Sequence, residues 1–85
     1  MVHAYVLAET RPGAVVKVSE LVAEIPGVTS TEIITGPYDM IAAVEADSVG
    51  DLGKVVLHGI RAVDGVTRTL TCRSAPATVA SGVGR

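Results

Sequence analysis

The stretch of the chain best suited to hold a small polar molecule is Gly36-Pro37-Tyr38-Asp39. The Asp39 carboxylate and the amide groups of the turn could bind the two charged ends of a small zwitterion, and the Tyr38 ring could form one wall of the pocket. Glycine, proline and aspartate are also the residues that a tight turn requires for its backbone. The residue types therefore leave a ligand site and a plain hairpin turn both open.

A second candidate is the run of alternating threonines near the end of the chain, Thr67, Thr69 and Thr71. Side chains two residues apart in a strand point to the same face, so these hydroxyls could line a pocket, although threonine is also an ordinary strand residue. Strict alternation predicts Arg68 on the opposite, helix-facing side, either at the sheet margin or paired with a carboxylate. The same alternation assigns three further residues to that side: Val66, Leu70 and Cys72.

Residues for catalysis or metal binding are scarce in the sequence. There is no Cys-x-x-Cys pair, no phosphate loop and no dinucleotide fingerprint, and the chain contains no asparagine and no glutamine. His3 and His58 are interpreted as surface or interface residues. The lone Cys72 lies in a predicted strand, which favours a buried structural thiol and fits a reducing cytoplasm. We therefore expect no enzyme activity, no cofactor and no metal site.

Length and composition restrict the class of protein further. The 85 residues correspond to one domain, and a net charge of −2 without a basic patch argues against direct binding of nucleic acid. No apolar run approaches the roughly 20 residues of a membrane span, and the N-terminus lacks the pattern of a signal peptide. Hydrophobic residues make up 48% of the chain without any Trp or Phe, which favours a sheet of aliphatic residues with helices packed on it.

Hydrophobic periodicity and turn residues divide the chain into six elements. Strands are predicted over 2–9, 28–35, 40–46 and 66–72, and helices over 14–25 and 48–63, the second capped by Ser48 with Asp51. This order predicts an α+β, ferredoxin-like βαββαβ fold, with a four-stranded antiparallel sheet and both helices on one face. We assign residues 1–73 to this domain and predict a flexible tail over residues 74–85.

The phrase Gly-Val-Thr occurs twice, at residues 27–29 and 65–67. Each copy follows a predicted helix and leads into a predicted strand, so both mark the same joint in two βαβ units. Such a joint needs a glycine to leave the helix and β-branched residues to enter the sheet. We therefore interpret the repeat as a structural feature of the fold and not as a functional motif.

The strands predict a second apolar surface on the sheet. Residues 40–44 of the third predicted strand are apolar on both sides and strand 2–9 is nearly so, whereas a sheet with one solvated face should alternate apolar and polar residues. Two helices cover only one face. We expect a partner to cover the other face, most simply a second copy of the chain.

Four stretches together resemble the effector domain, or RAM domain, of the Lrp/AsnC transcription regulators. They are AYVLAET in the first strand, IPGV after the first helix, TGPYDMIAAVEA across the hairpin and VDGVTRTLT at the last strand. The resemblance covers residues 3–73. It implies dimers that pair through their sheets and assemble into an octamer or decamer, with an amino-acid effector bound between dimers. The ligand-binding residues that it implies are Gly36, Tyr38, Asp39, Thr69 and Thr71.

Regulators of this family carry an N-terminal helix-turn-helix domain, for which this chain leaves no room before its first strand. We therefore expect a stand-alone effector-domain protein without DNA binding of its own, acting through its assembly or by co-assembly with a full-length relative. Two other classes stay open. One is an ACT-like amino-acid sensor. The other is a small enzyme of the dimeric α+β barrel kind, such as a monooxygenase, which would need a cavity between sheet and helices lined by reactive groups.

Overall fold

The computed structural model describes residues 1–74 of the chain. From residue 75 onward, the tail predicted for residues 74–85 lies outside the described residues. The elements are β1 (Val2–Thr10), α1 (Val15–Ala23), β2 (Val28–Ile33), β3 (Met40–Ala46), α2 (Val49–Lys54), a π-helical segment (Val55–Gly59), a short 3₁₀ helix (Ile60–Ala62) and β4 (Val66–Arg73). The order of strands and helices is the predicted one.

The four strands form one antiparallel sheet in the order β2-β3-β1-β4. This order and the two crossover helices confirm the ferredoxin-like βαββαβ fold. The inner strands β1 and β3 and both helices bury the aliphatic core, which explains why the sequence needs no Trp or Phe. The core residues are Ala4, Val6, Ala8, Val18, Val22, Met40, Ala42, Val44, Leu52 and Ile60.

The second helix begins as predicted and ends in a less regular way. The Ser48 hydroxyl accepts a hydrogen bond from the Asp51 backbone N–H at 3.0 Å, which caps the first turn. After Lys54 the helix widens into the π-helical segment, and it closes with the 3₁₀ turn before β4. Among residues 1–74, none of the helices has the length and apolar character needed to span a membrane.

The two Gly-Val-Thr copies form equivalent joints, and each contains a β-bulge. Gly27 and Gly65 adopt positive φ angles of 100° and 105° as the chain leaves each helix. Thr29 is then an extra residue in β2 opposite β3, and Thr67 is an extra residue in β4 opposite β1. Each threonine hydroxyl donates to a carbonyl of the neighbouring inner strand, to Ala43 at 3.2 Å and to Glu9 at 3.0 Å.

The bulge at Thr67 overturns the predicted facing of β4. Because it adds one residue, Arg68 pairs with Glu9, Leu70 with Leu7 and Cys72 with Tyr5, so these three side chains lie on the face away from the helices. Thr69 and Thr71 instead share the helix-facing side with their partners Ala8 and Val6. Cys72 is exposed, so the prediction of a buried thiol was also wrong.

The sheet face away from the helices, here called the open face, has an apolar band with a charged row at each end. The band comprises Tyr5, Leu7, Ile41, Ala43, Leu70 and Cys72. Tyr5 and Leu70 are 49% and 46% exposed. At one end of the band, His3 Nδ1 lies 3.4 Å from Glu45 Oε2, and at the other end Arg68 lies beside Glu9. The predicted second apolar surface is therefore present.

Replacing Gly65 by alanine should destabilise the fold more than the same change at Gly13. Both glycines have positive φ, but a Cβ atom at Gly65 would lie 2.9 Å from Val18 Cγ2, whereas one at Gly13 would meet nothing within 4 Å. We expect Gly13→Ala to lower the free energy of unfolding by about 1 kcal/mol, and Gly65→Ala by about 2–4 kcal/mol. Urea titrations at one fixed protein concentration measure both. Equal losses would show that the close approach to Val18 costs nothing.

Candidate functional site

The turn between β2 and β3 is bonded to the inner strand β1 by its last residue. The Asp39 backbone N–H donates to the Ala8 carbonyl at 2.9 Å, and the Asp39 carbonyl accepts from the Ile34 N–H at 2.9 Å. The Asp39 carboxylate Oδ2 accepts a hydrogen bond from the Thr10 backbone N–H at 2.8 Å and lies 3.4 Å from the Thr10 hydroxyl. The turn is thereby held in a fixed position over the end of β1.

This arrangement gives Asp39 a structural task. One of its carboxylate oxygens is already engaged by a backbone amide, as in a helix cap or an Asx turn. Thr10 is itself buried, so its N–H group needs this acceptor. A ligand ammonium group could still approach the other carboxylate oxygen, Oδ1, which is the role that the sequence predicted for this residue.

Tyr38 belongs to a second cluster, on the open face. The Arg68 guanidinium carbon lies 5.1 Å from the centre of the Tyr38 ring, a cation–π distance. Arg68 Nη2 is 3.8 Å from Glu9 Oε2. The Thr67 hydroxyl, which donates to the Glu9 carbonyl at 3.0 Å, also lies 3.2 Å from the other Glu9 carboxylate oxygen, Oε1. The turn, β1 and β4 therefore meet in one group of aromatic, cationic and anionic side chains.

The sequence-predicted site residues divide between the two faces of the sheet. Tyr38 belongs to the same turn as Gly36 and Asp39, and it lies against Arg68 on the open face. Thr69 and Thr71 lie on the helix-facing side of the edge strand, half-buried and exposed respectively. Sequence reasoning missed Arg68 and Glu9 as members of the site. The sequence carries no signal for them, because only the register of β4 against β1 shows the bulge at Thr67 that places Arg68 beside Glu9.

Arg11 forms a bidentate ion pair with Asp64 at the neighbouring corner of the sheet. Arg11 Nη1 and Nη2 donate to the two Asp64 oxygens, each at 3.2 Å. This hydrogen bonding, with the attraction between the charges, lowers the pKa of Asp64 and raises that of Arg11. The stability that the pair adds is present above the ordinary aspartate pKa and is lost as the pH falls through the lowered value.

The enzyme alternative requires a cavity between sheet and helices that is lined by reactive groups. The space between sheet and helices is filled by the aliphatic core, while His3 and His58 both lie exposed outside it. Within residues 1–74, no three His, Cys, Asp or Glu side chains come together as a metal site would require. The polar groups that converge are those at the turn, so the turn is the candidate site.

The fold and the anchored turn define a ferredoxin-like domain with helices on one side, a free apolar sheet face on the other and polar groups gathered at one corner. The chain belongs to the Lrp/AsnC family, because the family model for the Lrp/AsnC ligand binding domain matches residues 3–77. This confirms the resemblance seen in the sequence. The match extends past the domain boundary predicted at residue 73.

Curated relatives share only part of their length with this chain. An uncharacterized HTH-type transcriptional regulator of Pyrococcus furiosus is 36% identical over 55 residues, which are 65% of this chain and 37% of the regulator. A homocitrate synthase of Sulfurisphaera tokodaii is 41% identical over 54 residues, which are 64% of this chain and 12% of the enzyme. The matched region thus spans little more than a third of such a regulator.

Solved structures share the fold over most of the chain. A protein of Thermus thermophilus, TTHA0845, superimposes with a TM-score of 0.86 and 38% identity, over 93% of this chain and 99% of that one. The complex of the Neisseria meningitidis transcriptional regulator NMB0573 with L-Met has a TM-score of 0.79 and 16% identity, over 95% of this chain and 54% of that one. The first is a protein of similar size, and the second shows the same fold within a larger chain.

Replacing Asp39 by alanine should loosen the turn from β1. The buried Thr10 N–H would lose its acceptor, so we expect Asp39→Ala to lower the free energy of unfolding by about 1–3 kcal/mol, and Asp39→Asn, which keeps an acceptor oxygen, to cost less. Amide hydrogen exchange at Thr10 should speed up in the alanine variant. Asp47→Ala, at the opposite end of β3, is the control. Unchanged exchange at Thr10 would contradict the proposed anchor.

Proposed function

We propose that this chain is a regulatory domain that binds an amino acid or a similar small effector at the corner formed by the turn, β1 and β4. The observation that carries the proposal is the convergence of Tyr38, Arg68 and Glu9 beside a turn that Asp39 anchors to β1. Membership of a family defined by its ligand binding domain supports it. The L-Met complex of a protein with the same fold supports an amino acid as the class of effector.

The effector would act by linkage rather than by chemistry. A ligand that binds one arrangement of subunits more tightly than another shifts the population towards that arrangement. Because Asp39 joins the turn to the inner strand β1, a ligand held at the turn would act on the whole sheet. The turn residues Gly36, Tyr38 and Asp39 are the proposed first contacts. Thr69 and Thr71 stay in the proposal only as residues that a neighbouring subunit could bring to the ligand.

The proposal includes self-association through the open face. Its apolar band would be solvated in a monomer, and an exposed apolar patch bordered by charges is typical of a protein interface. A two-fold dimer would bury the band of each copy against that of the other. Further assembly to an octamer or decamer, and co-assembly with a full-length regulator that supplies DNA-binding domains, are the steps by which a bound effector would reach transcription in the cytoplasm.

A second candidate function is the regulation of an enzyme. The similarity of 54 residues of this chain to a segment of a homocitrate synthase favours it, because that protein is named as an enzyme. In that case the same ligand site would report an amino acid to a catalytic partner. Both candidates share the ligand and differ in the partner.

Calorimetry with the standard L-amino acids tests the binding function. We expect saturable binding of at least one amino acid by the wild type, and about tenfold weaker binding by Tyr38→Ala, because the ring is the wall of the proposed site. Val16→Ala truncates a residue that is 58% exposed on α1 and should leave binding unchanged. If the wild type binds none of them, the chain does not have this function.

Light scattering tests self-association through the open face. Leu70→Lys puts a charge into the apolar band and should yield a folded monomer, since a buried unpaired charge opposes association. Leu57→Lys is the matched control, because Leu57 is similarly exposed, at 52%, but lies on the helix layer. This variant should remain at least a dimer. A wild type that is monomeric at micromolar concentration would leave the open face without its proposed partner.

A further inference from the structure

We propose that Arg68 binds the carboxylate group of the amino-acid effector, and that Tyr38 and Glu9 hold its guanidinium in place for this task. The inference rests on the ligand-binding function proposed above and names the residue that recognises one end of the ligand. Arg68 is absent from the set that the family resemblance implied. It enters the site only because the bulge at Thr67 turns it onto the open face.

The Arg68 guanidinium is oriented but not saturated. Its carbon lies 5.1 Å from the centre of the Tyr38 ring, and this cation–π contact holds the group beside the turn. The nearest Glu9 oxygen is 3.8 Å from Nη2, which is an ion-pair distance longer than a hydrogen bond. A guanidinium has five N–H donors, and within residues 1–74 the structure gives those of Arg68 no hydrogen-bond acceptor. The donor fork is available to a ligand.

Arg11, by contrast, is an arginine whose two terminal nitrogens are both hydrogen-bonded in this structure. Its two terminal nitrogens both bind the Asp64 carboxylate at 3.2 Å, in the bidentate geometry that planar guanidinium and carboxylate groups favour. Arg68 has the same chemistry and a carboxylate partner at a longer distance. A ligand carboxylate would supply for Arg68 the bidentate contact that Asp64 supplies for Arg11.

The position of Arg68 keeps it within reach of a small molecule. Its side chain is 59% exposed, and it lies in the charged row beyond the apolar band, next to the turn. A second copy that covers the band would leave this row at the rim of the interface. The Thr67 hydroxyl lies 3.0 Å from the Glu9 carbonyl oxygen and 3.2 Å from Glu9 Oε1, so its one proton is shared between these two acceptors.

The duplicated fold contains an internal comparison for this assignment. Ser30 follows the first bulge as Arg68 follows the second, and both lie on the open face. The two units therefore present different groups from equivalent positions. Among residues 1–74, only the second unit presents a cation beside an aromatic ring, Arg68 beside Tyr38, which restricts the proposed carboxylate site to one end of the sheet.

Titration of each standard L-amino acid and of its carboxamide into wild type, Arg68→Gln and Arg61→Gln tests the assignment. The carboxamide keeps the ammonium group and side chain but removes the anionic carboxylate. We expect the wild type to bind the acid about ten- to a hundredfold more tightly than the amide. Arg68→Gln should lower affinity for the acid by about that factor and leave the amide almost unchanged, so that the preference disappears. Arg61→Gln removes an exposed arginine from the helix layer and should keep the preference.

The outcomes separate a ligand contact from a structural role. If Arg68 only steadies Tyr38, Arg68→Gln will weaken acid and amide by the same factor, and the retained preference will overturn the inference while amino-acid binding stands. Absence of binding by the wild type would overturn both this inference and the proposed function. Arg68→Lys keeps the positive charge but lacks the planar pair of N–H donors, so it should bind the acid severalfold more weakly than wild type. Thermal unfolding of each variant verifies that it is folded.

Discussion

Each edge strand of this sheet contains one residue more than the inner strand with which it pairs, and the rest of the structure depends on that insertion. The extra residues are Thr29 and Thr67, each hydrogen-bonded through its hydroxyl to an inner-strand carbonyl. Each bulge lets a valine enter the core directly after the glycine that ends the helix, and then turns the remainder of the strand over. Without the second bulge, Arg68 would lie on the helix-facing side of this edge strand, where Val66 and Thr69 are half-buried and a charge is less well solvated than on the open face.

Much of the fold was predictable because its signals are local. The bounds of β3, the Ser48 cap and the order of elements follow from hydrophobic period, turn residues and capping chemistry within a few positions of sequence. The facing of β4 was not predictable, because alternation assumes an unbroken ladder and Gly-Val-Thr does not by its composition reveal a bulge. The predicted facing of Arg68 and of Cys72 was wrong for this one reason, whereas the alternative that Arg68 pairs with a carboxylate is met by Glu9.

The candidate site was predictable only in part. The turn was recognised from its residues, but the engagement of Asp39 with Thr10 joins positions far apart in sequence and depends on the pairing of β3 with β1. The contact of Tyr38 with Arg68 depends in addition on β4 lying beside β1. The residues of such a site come together only because the strand order places the turn, β1 and β4 side by side. Family membership supports the proposed class of ligand, and the strand order brings together the side chains proposed to contact it.

The two bulges also bear on how copies of this chain can meet. A straight edge strand presents a row of free amide and carbonyl groups, and such a row recruits further strands without limit. Here both outer strands are irregular at the point where they leave a helix, and the local increase in twist makes continuous edge-to-edge addition unfavourable. Contact through the flat sheet surface remains, and a two-fold contact of that type closes on itself. The same residue that sets the facing of Arg68 thus also makes edge-to-edge growth of the sheet less favourable.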